Sequence, residues 1–390
     1  MKTNWEIKRL GDVCEELFAG GDVDKNNTSK IKTDIFSIPI FSNGEKNKGL
    51  YGYTNVARVT KPSITISARG TIGYSEIRQG PFYPVVRLIV VIPRVDLVSL
   101  AFLKFVIDSI DFKHSGSSIP QLTVPMIKEY PIVLPPLQEQ QQIVSILDEA
   151  FANLAKIKDN AEKNLKNAKE LFESYLQNVF TDKSDGWEDR TLGGLSKKKD
   201  AVVSGPFGSN LKVSDYKDKG IPILRLQNIG KGYFIDKSIK YINKEKAEEL
   251  KYHSFLSGDI ALAKLGIPIG KTCIIPNHFK SGIITADIVR IRPDLNVVNY
   301  KFLEYFLNTN LSVAQLTSNI SGATRPRVNL SDVRNIKLSL PPLKVQENIV
   351  KKLDVFSTET KRLETIYREK LNDLEELKKG ILQKAFNGEL

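Results

Sequence analysis

Two short segments with the same residues decide how this chain is organised. Leu134-Pro-Pro-Leu137 is followed by Gln140, and Leu340-Pro-Pro-Leu343 is followed by Gln346, at a constant separation of 206 residues. Proline cannot continue a helix that lies before it, but it is tolerated in the first helical turn. Each segment therefore marks the start of a helix, and the chain contains two copies of one structural unit.

The repeat extends outward from these segments over the whole chain. Trp5–Val13 matches Trp187–Leu195, and Phe102-Leu103 matches Phe302-Leu303. The offset between the copies grows from 182 residues at the tryptophans to 206 at the proline segments, so the second copy carries 24 additional residues.

A heptad pattern follows each proline segment. Apolar side chains recur in the same register in both copies over about five heptads, which predicts a coiled coil. The alternative is an amphipathic helix lying on its own globule, but at roughly 1.5 Å per residue the helix is longer than a globule of about 140 residues is wide. We expect the two helices to pair antiparallel, with a pseudo-twofold axis relating the halves. The positions predicted to form the coiled coil or to bind partners are Ile143, Leu147, Leu154, Ile157, Leu171, Ile349, Leu353, Leu363, Leu374 and Leu377.

The segments that precede the helices have the pattern of mixed globules. They contain glycine turns, short β-rich runs at 63–67, 85–92 and 283–291, and a helical stretch at 97–110. We therefore predict an α+β fold, with two tandem mixed α/β domains separated by two long helices. The predicted boundaries are 1–133 for the first globule, 134–186 for the first helix, 187–339 for the second globule and 340–390 for the second helix.

Composition narrows the classes of function. The net charge is +12, and the globules carry the excess, with 17 basic against 13 acidic groups in 1–133 and 24 against 14 in 187–339. Basic globules beside nearly neutral helices indicate a polyanion as the ligand of the globules. No apolar run reaches the roughly 18 residues of a membrane span. The two cysteines and three histidines are not at metal-ligand spacing, so we expect no metal site.

The repeat order and its motifs resemble the specificity subunit of type I restriction–modification systems. The resemblance covers the whole chain. It rests on the Trp-x-x-x-x-Leu-Gly openings at Trp5 and Trp187, the Ser-Ala-Arg-Gly-Thr-Ile-Gly stretch at 67–73, the Ser-Gly-Pro-Phe-Gly-Ser stretch at 204–209, and the paired proline segments.

This resemblance implies that the globules are target-recognition domains, each reading half of a gapped site in double-stranded DNA. It implies that the helices set the spacing and hold two methyltransferase subunits, and that restriction and translocase subunits join the complex. S-adenosylmethionine for adenine methylation and ATP for translocation would then be bound by the partner subunits, with no cofactor in this chain. A cytoplasmic location in a bacterium or archaeon is expected.

The motifs of catalysis are missing from the sequence. There is no Asn-Pro-Pro-(Phe/Tyr) adenine-methylation motif. The nearest phosphate-loop candidate, 266–272, has three residues between its glycines where a phosphate loop has four. We therefore expect that the chain is not an enzyme by itself. The alternatives are a coiled-coil adaptor with two basic protein-binding heads and, weakened by the missing motifs, a self-contained methyltransferase or nuclease.

Candidate DNA-binding residues lie in loops at corresponding places of the two copies. Base recognition uses planar or bidentate donors such as Arg, Asn and Gln, whereas Lys and Tyr can position phosphates. For each residue the alternative is an ordinary exposed or salt-bridged side chain. The predicted DNA-binding residues are Lys46, Lys48, Tyr51, Tyr53, Arg69, Ser117, Ser118 and Gln121 in the first globule, and Arg225, Gln227, Asn228, Lys231, Lys264, Arg325 and Arg327 in the second.

Overall fold

The chain folds into two compact units. A computed structural model describes residues 4–112, 121–182, 186–318 and 327–390. Unit 1 consists of Met1–Lys163 and Arg368–Leu390, and unit 2 consists of Asn164–Tyr367. Each unit therefore combines one globule with parts of both long helices, whereas the boundaries predicted from the sequence keep each helix whole.

The first globule contains two four-stranded sheets, with strand orders β2-β9-β6-β7 and β3-β5-β4-β8, and the two-stranded pair β1-β10. Strands β4 and β8 run parallel, and the first sheet is antiparallel throughout. Helix α1 packs on the antiparallel sheet, and their apolar side chains form the core. The elements up to the first long helix are β1 (Glu6–Arg9), β2 (Cys14–Ala19), β3 (Thr28–Ser29), β4 (Ile38–Phe41), β5 (Leu50–Thr54), β6 (Ser63–Ile66), β7 (Ser75–Arg78), β8 (Tyr83–Pro84), β9 (Ile89–Pro93), α1 (Leu100–Ser109), α2 (Val124–Lys128), β10 (Pro131–Leu134) and α3 (Leu137–Thr181).

The second globule repeats the antiparallel sheet, in the order β12-β19-β16-β17, and the pair β11-β20 corresponds to β1-β10. Its other sheet has the order β14-β13-β18-β15, with β13 and β18 parallel as β4 and β8 are, but it carries β15 beside β18 where the first globule carries β3 beside β5. The predicted α+β class is confirmed. The remaining elements are β11 (Glu188–Thr191), β12 (Val202–Ser204), β13 (Ile221–Leu224), β14 (Lys240–Ile242), α4 (Lys244–Glu249), β15 (Ser254–Leu256), β16 (Ile260–Ala263), β17 (Thr272–Ile274), β18 (Ser281–Ile284), β19 (Ile288–Ile291), α5 (Tyr300–Leu307), α6 (Asn310–Thr317), α7 (Leu330–Arg334), β20 (Lys337–Leu340) and α8 (Leu343–Asn387).

Each of the two apolar β-rich runs, 85–92 and 283–291, contains a turn between two strands. The run 85–92 contributes only β9, and β8 ends just before it at Pro84. The run 283–291 is divided between β18 and β19. The two strands of each pair belong to different sheets, and the turn between them carries the chain from one sheet to the other. A continuous apolar run did not reveal this turn because both strands are buried.

The long helices α3 and α8 pair antiparallel within each unit, as the sequence predicts. In unit 1, Lys158 forms an ion pair with Glu375, with Nζ and Oε1 2.6 Å apart, and Phe151 lies under the ammonium group of Lys378. In unit 2 the rings of Tyr175 and Phe356 are 4.8 Å apart. No helix in the described part of the chain is long and apolar enough to cross a membrane.

Each globule is packed by the end of the helix that follows the other globule. In unit 1, Phe386 near the end of α8 contacts Phe102, with ring centroids 5.7 Å apart. In unit 2, Phe180 near the end of α3 contacts Phe302 at 5.0 Å. These two aromatic pairs occupy corresponding repeat positions. The packing of a helix end against a globule is therefore repeated in the two units, as the sequence is.

The predicted apolar positions form two heptad rows, one with Leu147, Leu154, Leu353 and Leu374 and the other with Ile143, Ile157, Leu171, Ile349, Leu363 and Leu377. Only the first row is covered along its whole length. Leu147 and Leu353 are fully buried, Leu154 and Leu374 are half-buried, and Ile143 and Ile349 pack at the helix starts. The middle of the other row is exposed, because the helices face each other along a single stripe. The four exposed positions are Ile157, Leu171, Leu363 and Leu377.

A buried glutamine fastens the start of each long helix to its globule. The Gln140 side chain accepts a hydrogen bond from the Ser99 N–H at 2.9 Å and donates to the carbonyl oxygens of Leu97 and Pro135 at 2.9 and 2.8 Å. Gln346 makes the same three bonds, to Asn299, Val297 and Pro341. Both glutamines are fully buried, and in each copy the bond to the proline carbonyl oxygen is buried as well.

We expect Gln140→Leu to destabilise unit 1, because the substitution leaves the buried Pro135 carbonyl oxygen and the part-buried Ser99 N–H without their partner, at a cost of about 1–3 kcal/mol. Gln141→Leu is the matched control, since Gln141 is exposed and its loss changes stability by less than about 0.5 kcal/mol. Urea unfolding of the full chain measures both. Equal midpoints for the two variants would contradict the fastening role of Gln140.

Candidate nucleic-acid interface

In the first globule, three strand ends bring polar side chains together. Asn43 follows β4, Arg69 follows β6 and Arg87 follows β8. Gln121 joins them because the neighbouring Leu122 N–H donates to Ala68 O at 3.0 Å. We call Asn43, Arg69, Arg87 and Gln121 the first cluster. Two of its members, Arg69 and Gln121, were predicted from the sequence.

One glutamine oxygen joins the two guanidinium groups of this cluster. Gln121 Oε1 accepts from Arg69 Nε at 3.2 Å and Nη2 at 2.9 Å, and from Arg87 Nη1 at 3.3 Å. A neutral acceptor holds two like charges in place without neutralising either one. The cluster is therefore positively charged and consists mainly of hydrogen-bond donors.

Arg87 has a backbone conformation that its side chain disfavours. Its φ is 69°, in the left-handed region, which costs a residue with a Cβ about 1–2 kcal/mol. The Asn43 side chain supports this turn by donating to Val86 O at 3.1 Å and accepting from Ala68 N–H at 2.7 Å. In the second globule the N–H of Lys264, the residue equivalent to Ala68, donates to Asp287 O instead.

The equivalent place in the second globule holds different chemistry. Arg327 forms an ion pair with Asp287, and Lys264 Nζ donates to the Ser204 hydroxyl. Lys264 is 8% exposed. Burial lowers its pKa, the charge of Arg327 lowers it further, and Asp287 opposes both effects. We call Ser204, Lys264, Asp287 and Arg327 the second cluster.

Backbone contacts establish that the two clusters are equivalent. Val328 N–H donates to Lys264 O at 3.0 Å, as Leu122 N–H does to Ala68 O. Gly20 N–H donates to Leu88 O and Gly205 N–H to Ile288 O. A Cβ on either glycine would collide with a backbone carbonyl of the turn that divides the apolar run. Position 87 therefore corresponds to 287, and 121 corresponds to 327.

The remaining predicted residues of the first globule lie in the segment around β5. Lys46 and Tyr51 are exposed, and Tyr53 is half-buried. The ammonium group of Lys30 lies 3.7 Å from the ring centre of Tyr51. Lys48 Nζ is 3.6 Å from a carboxylate oxygen of Glu76. Their contacts with the described residues do not reach the first cluster.

In the second globule, four predicted residues lie outside the second cluster. Arg225 donates to Ser238 O, and Lys231 Nζ forms an ion pair with Glu173 on α3 at 2.7 Å. Gln227 is exposed. Asn228 is fully buried; its amide donates to Ile235 O and Lys237 O and accepts from Arg225 N–H. The Asn228 side chain thus closes a loop and does not face solvent.

Three predicted residues, Ser117, Ser118 and Arg325, lie outside the described residues. Sequence reasoning did not select Arg87 or Asp287. A signal was present, because Arg87 is the single charged residue of the run 85–92, and Asp287 occupies the matching position of the run 283–291, which also contains Arg290. A charge at the same place in both copies marks the turn where the chain leaves one sheet for the other.

Comparison with known proteins assigns the family. The family model for the type I restriction modification DNA specificity domain matches residues 2–167 and 184–375. The chain belongs to this family. Both copies of the repeat are matched, so the resemblance found in the sequence is confirmed.

Individual relatives agree with this assignment. The MjaIX specificity subunit of Methanocaldococcus jannaschii is 24% identical over 87% of this chain and 83% of its own length. A candidate type I specificity subunit of Mycoplasma pneumoniae, S.MpnORF89P, is 32% identical over 45% of this chain and 53% of its own length. The chain spans about half the length of the first curated relatives that it matches.

Solved structures share the fold over the whole chain. A chain from a study of complex assembly in the type I restriction–modification system has a TM-score of 0.78 at 19% identity and covers 100% of this chain and 99% of its own. The HsdS subunit of Thermoanaerobacter tengcongensis has a TM-score of 0.59 at 19% identity, with coverage of 100% and 98%.

We expect Asn228→Ala to lower the free energy of unfolding of unit 2 by about 1–3 kcal/mol, because it removes the three backbone hydrogen bonds of a buried side chain. Gln227→Ala is the neighbouring control on the exposed side of the same loop, with an expected change below about 0.5 kcal/mol. Thermal or urea unfolding measures the difference. An unchanged stability of Asn228→Ala would return this residue to the DNA-binding candidates.

Proposed function

We propose that this chain recognises a two-part DNA sequence, with each globule reading one half, within a type I restriction–modification complex. The observation that carries the proposal is that equivalent places in the two globules hold different chemistry. Arg87 and Gln121 stand where the second globule has Asp287 and Arg327. Bases differ in the donors and acceptors that they present, so different side chains on one scaffold support two different half-sites.

Charge supports DNA as the ligand of the globules. The excess of basic over acidic residues lies in both globules and is larger in the second. Lys and Arg attract the phosphate backbone without regard to sequence, and residues on rigid strand ends then select bases. Within this proposal the chain supplies binding and spacing but no catalysis. Methyl transfer from S-adenosylmethionine to adenine, and ATP-driven translocation, belong to the partner subunits.

The exposed heptad positions support a docking surface for two copies of one partner. Ile157 and Leu363 occupy corresponding repeat positions and are 40% and 39% exposed. Leu171 and Leu377 also correspond and are 53% and 52% exposed. Each unit thus presents one apolar residue from each helix at matching places. We propose that each pair receives one adenine methyltransferase subunit, since two equivalent surfaces accept two copies of one partner.

We expect the double variant Ile157→Glu/Leu377→Glu to lose one methyltransferase subunit, and addition of Leu171→Glu and Leu363→Glu to lose both. A buried interfacial leucine contributes binding that an unpaired carboxylate abolishes. Val355→Glu is the matched control, because Val355 is a 66% exposed apolar residue of α8 outside both heptad rows. Native mass spectrometry of the co-purified complex counts the subunits. Retention of two subunits by the fourfold variant would refute the assigned surface.

A second prediction concerns spacing. Seven residues added to both helices in register, after Lys163 and after Tyr367, lengthen each helix by about 10 Å. We expect the gap between half-sites to grow by roughly three base pairs at 3.4 Å each, with both half-sites unchanged. Mapping of modified adenines in cells that carry the complex gives the gap directly. An unchanged gap would mean that the helices do not set the spacing, and the absence of any two-part site would contradict the proposed function.

A further inference from the structure

We infer that Arg87 is the base-reading residue of the first globule, that it recognises guanine in the major groove, and that Arg69 and Gln121 position it. This inference rests on the proposed DNA-recognition function. It adds a specificity-determining residue, Arg87, which lies outside the sequence motifs described above. It also names the base that this residue reads.

The hydrogen bonds distinguish the two arginines of the first cluster. Arg69 donates from both Nε and Nη2 to Gln121 Oε1. These two groups form the edge of the guanidinium that would otherwise be available to a base. Arg87 uses only Nη1 on the same oxygen. Among the contacts of the described residues, its Nε and Nη2 groups remain available as a two-pronged donor. Arg87 is therefore the arginine with a free fork, and Arg69 acts through Gln121.

Two parallel donors match one base edge in the major groove. Guanine presents two neighbouring acceptors, O6 and N7, and a guanidinium fork bonds both at once. Adenine and cytosine present an amino donor there, which opposes an arginine donor, and thymine presents one acceptor beside a methyl group. The chemistry of a free guanidinium fork thus selects guanine.

The backbone explains how the fork is aimed. Arg87 is held in the left-handed region at φ 69°, with Asn43 bonded to the carbonyl just before it. The Arg87 N–H donates to Gly20 O, and Gly20 has no Cβ to prevent this approach. A strained residue persists only where its surroundings determine its conformation, and such residues concentrate at functional sites. A side chain on a fixed turn offers its donors in one direction, as a specific contact requires.

The second globule shows what the same turn looks like without this arrangement. Asp287 occupies the position of Arg87, and its carboxylate pairs with Arg327. Asp287 therefore places a hydrogen-bond acceptor where the first globule has the donor Arg87. The Asp287 carboxylate also binds the guanidinium group of Arg327, a member of the same cluster. The guanine contact made from this turn therefore belongs to the first half-site.

The test is selection from a randomised double-stranded DNA library by the full chain in complex with its methyltransferase subunits. Arg87→Gly removes the fork and suits the left-handed backbone, so its melting temperature should equal or exceed that of the wild type. We expect one guanine of one half-site to lose its preference by about 5- to 150-fold, with the other half-site unchanged. Arg87→Lys keeps the charge without the fork and should lose the same preference.

Arg94→Ala is the matched control. Arg94 is an exposed arginine of the same globule, directly after β9, and pairs with Asp96 at 3.1 Å. It should select the wild-type sequence. Retention of the guanine by Arg87→Gly would overturn the inference while leaving the proposed function intact, and so would loss of both half-sites. If the wild-type complex enriches no sequence, the proposed function itself fails, and this inference fails with it.

Discussion

The architecture of each unit depends on a buried glutamine at the start of its long helix. Gln140 and Gln346 are fully buried, and each makes three hydrogen bonds to backbone groups, one of them a buried proline carbonyl. A buried polar group without a partner is costly, so the helix must leave the globule in one direction. The proline pair stops the preceding strand, and the glutamine fixes how the helix begins.

Other contacts at these junctions vary between the copies. In unit 1 the rings of Phe105 and Phe151 meet at 5.5 Å. In unit 2, Tyr305 donates instead to a carboxylate oxygen of Asp354 at 2.6 Å, and nearby burial raises the pKa of Glu304 to about 7. The junction between globule and long helix thus has an apolar contact in unit 1 and a polar one in unit 2. Either is compatible with the fold, because the glutamine hydrogen bonds already define the geometry and the surrounding residues need only fill the space.

Sequence reasoning reached the repeat, the fold class and the antiparallel helices, because each has a periodic or duplicated signal. It did not reach the turn at 85–88, because a run of buried apolar residues has the same pattern whether it forms one strand or two. For the same reason it missed Arg87 while selecting Arg69 beside it. It included Asn228 because an asparagine in a loop suits a base edge, and nothing in the sequence distinguishes a side chain that faces outward from one that closes its own loop.

Between the two copies, the exposed positions of the long helices are preserved, whereas the polar clusters at the strand ends differ. This difference agrees with the functions that we propose for them. The exposed heptad positions are aliphatic in both copies and nearly equal in exposure, as expected if two identical partners bind there. The clusters at the strand ends share a backbone framework, including Gly20 and Gly205, but differ in charge and in donors. A ligand that presented the same chemistry to both globules would favour equal clusters. Unequal clusters on a shared framework instead suit two different sequences read by one chain, while the matching exposed positions on the helices suit the two identical partners that we propose.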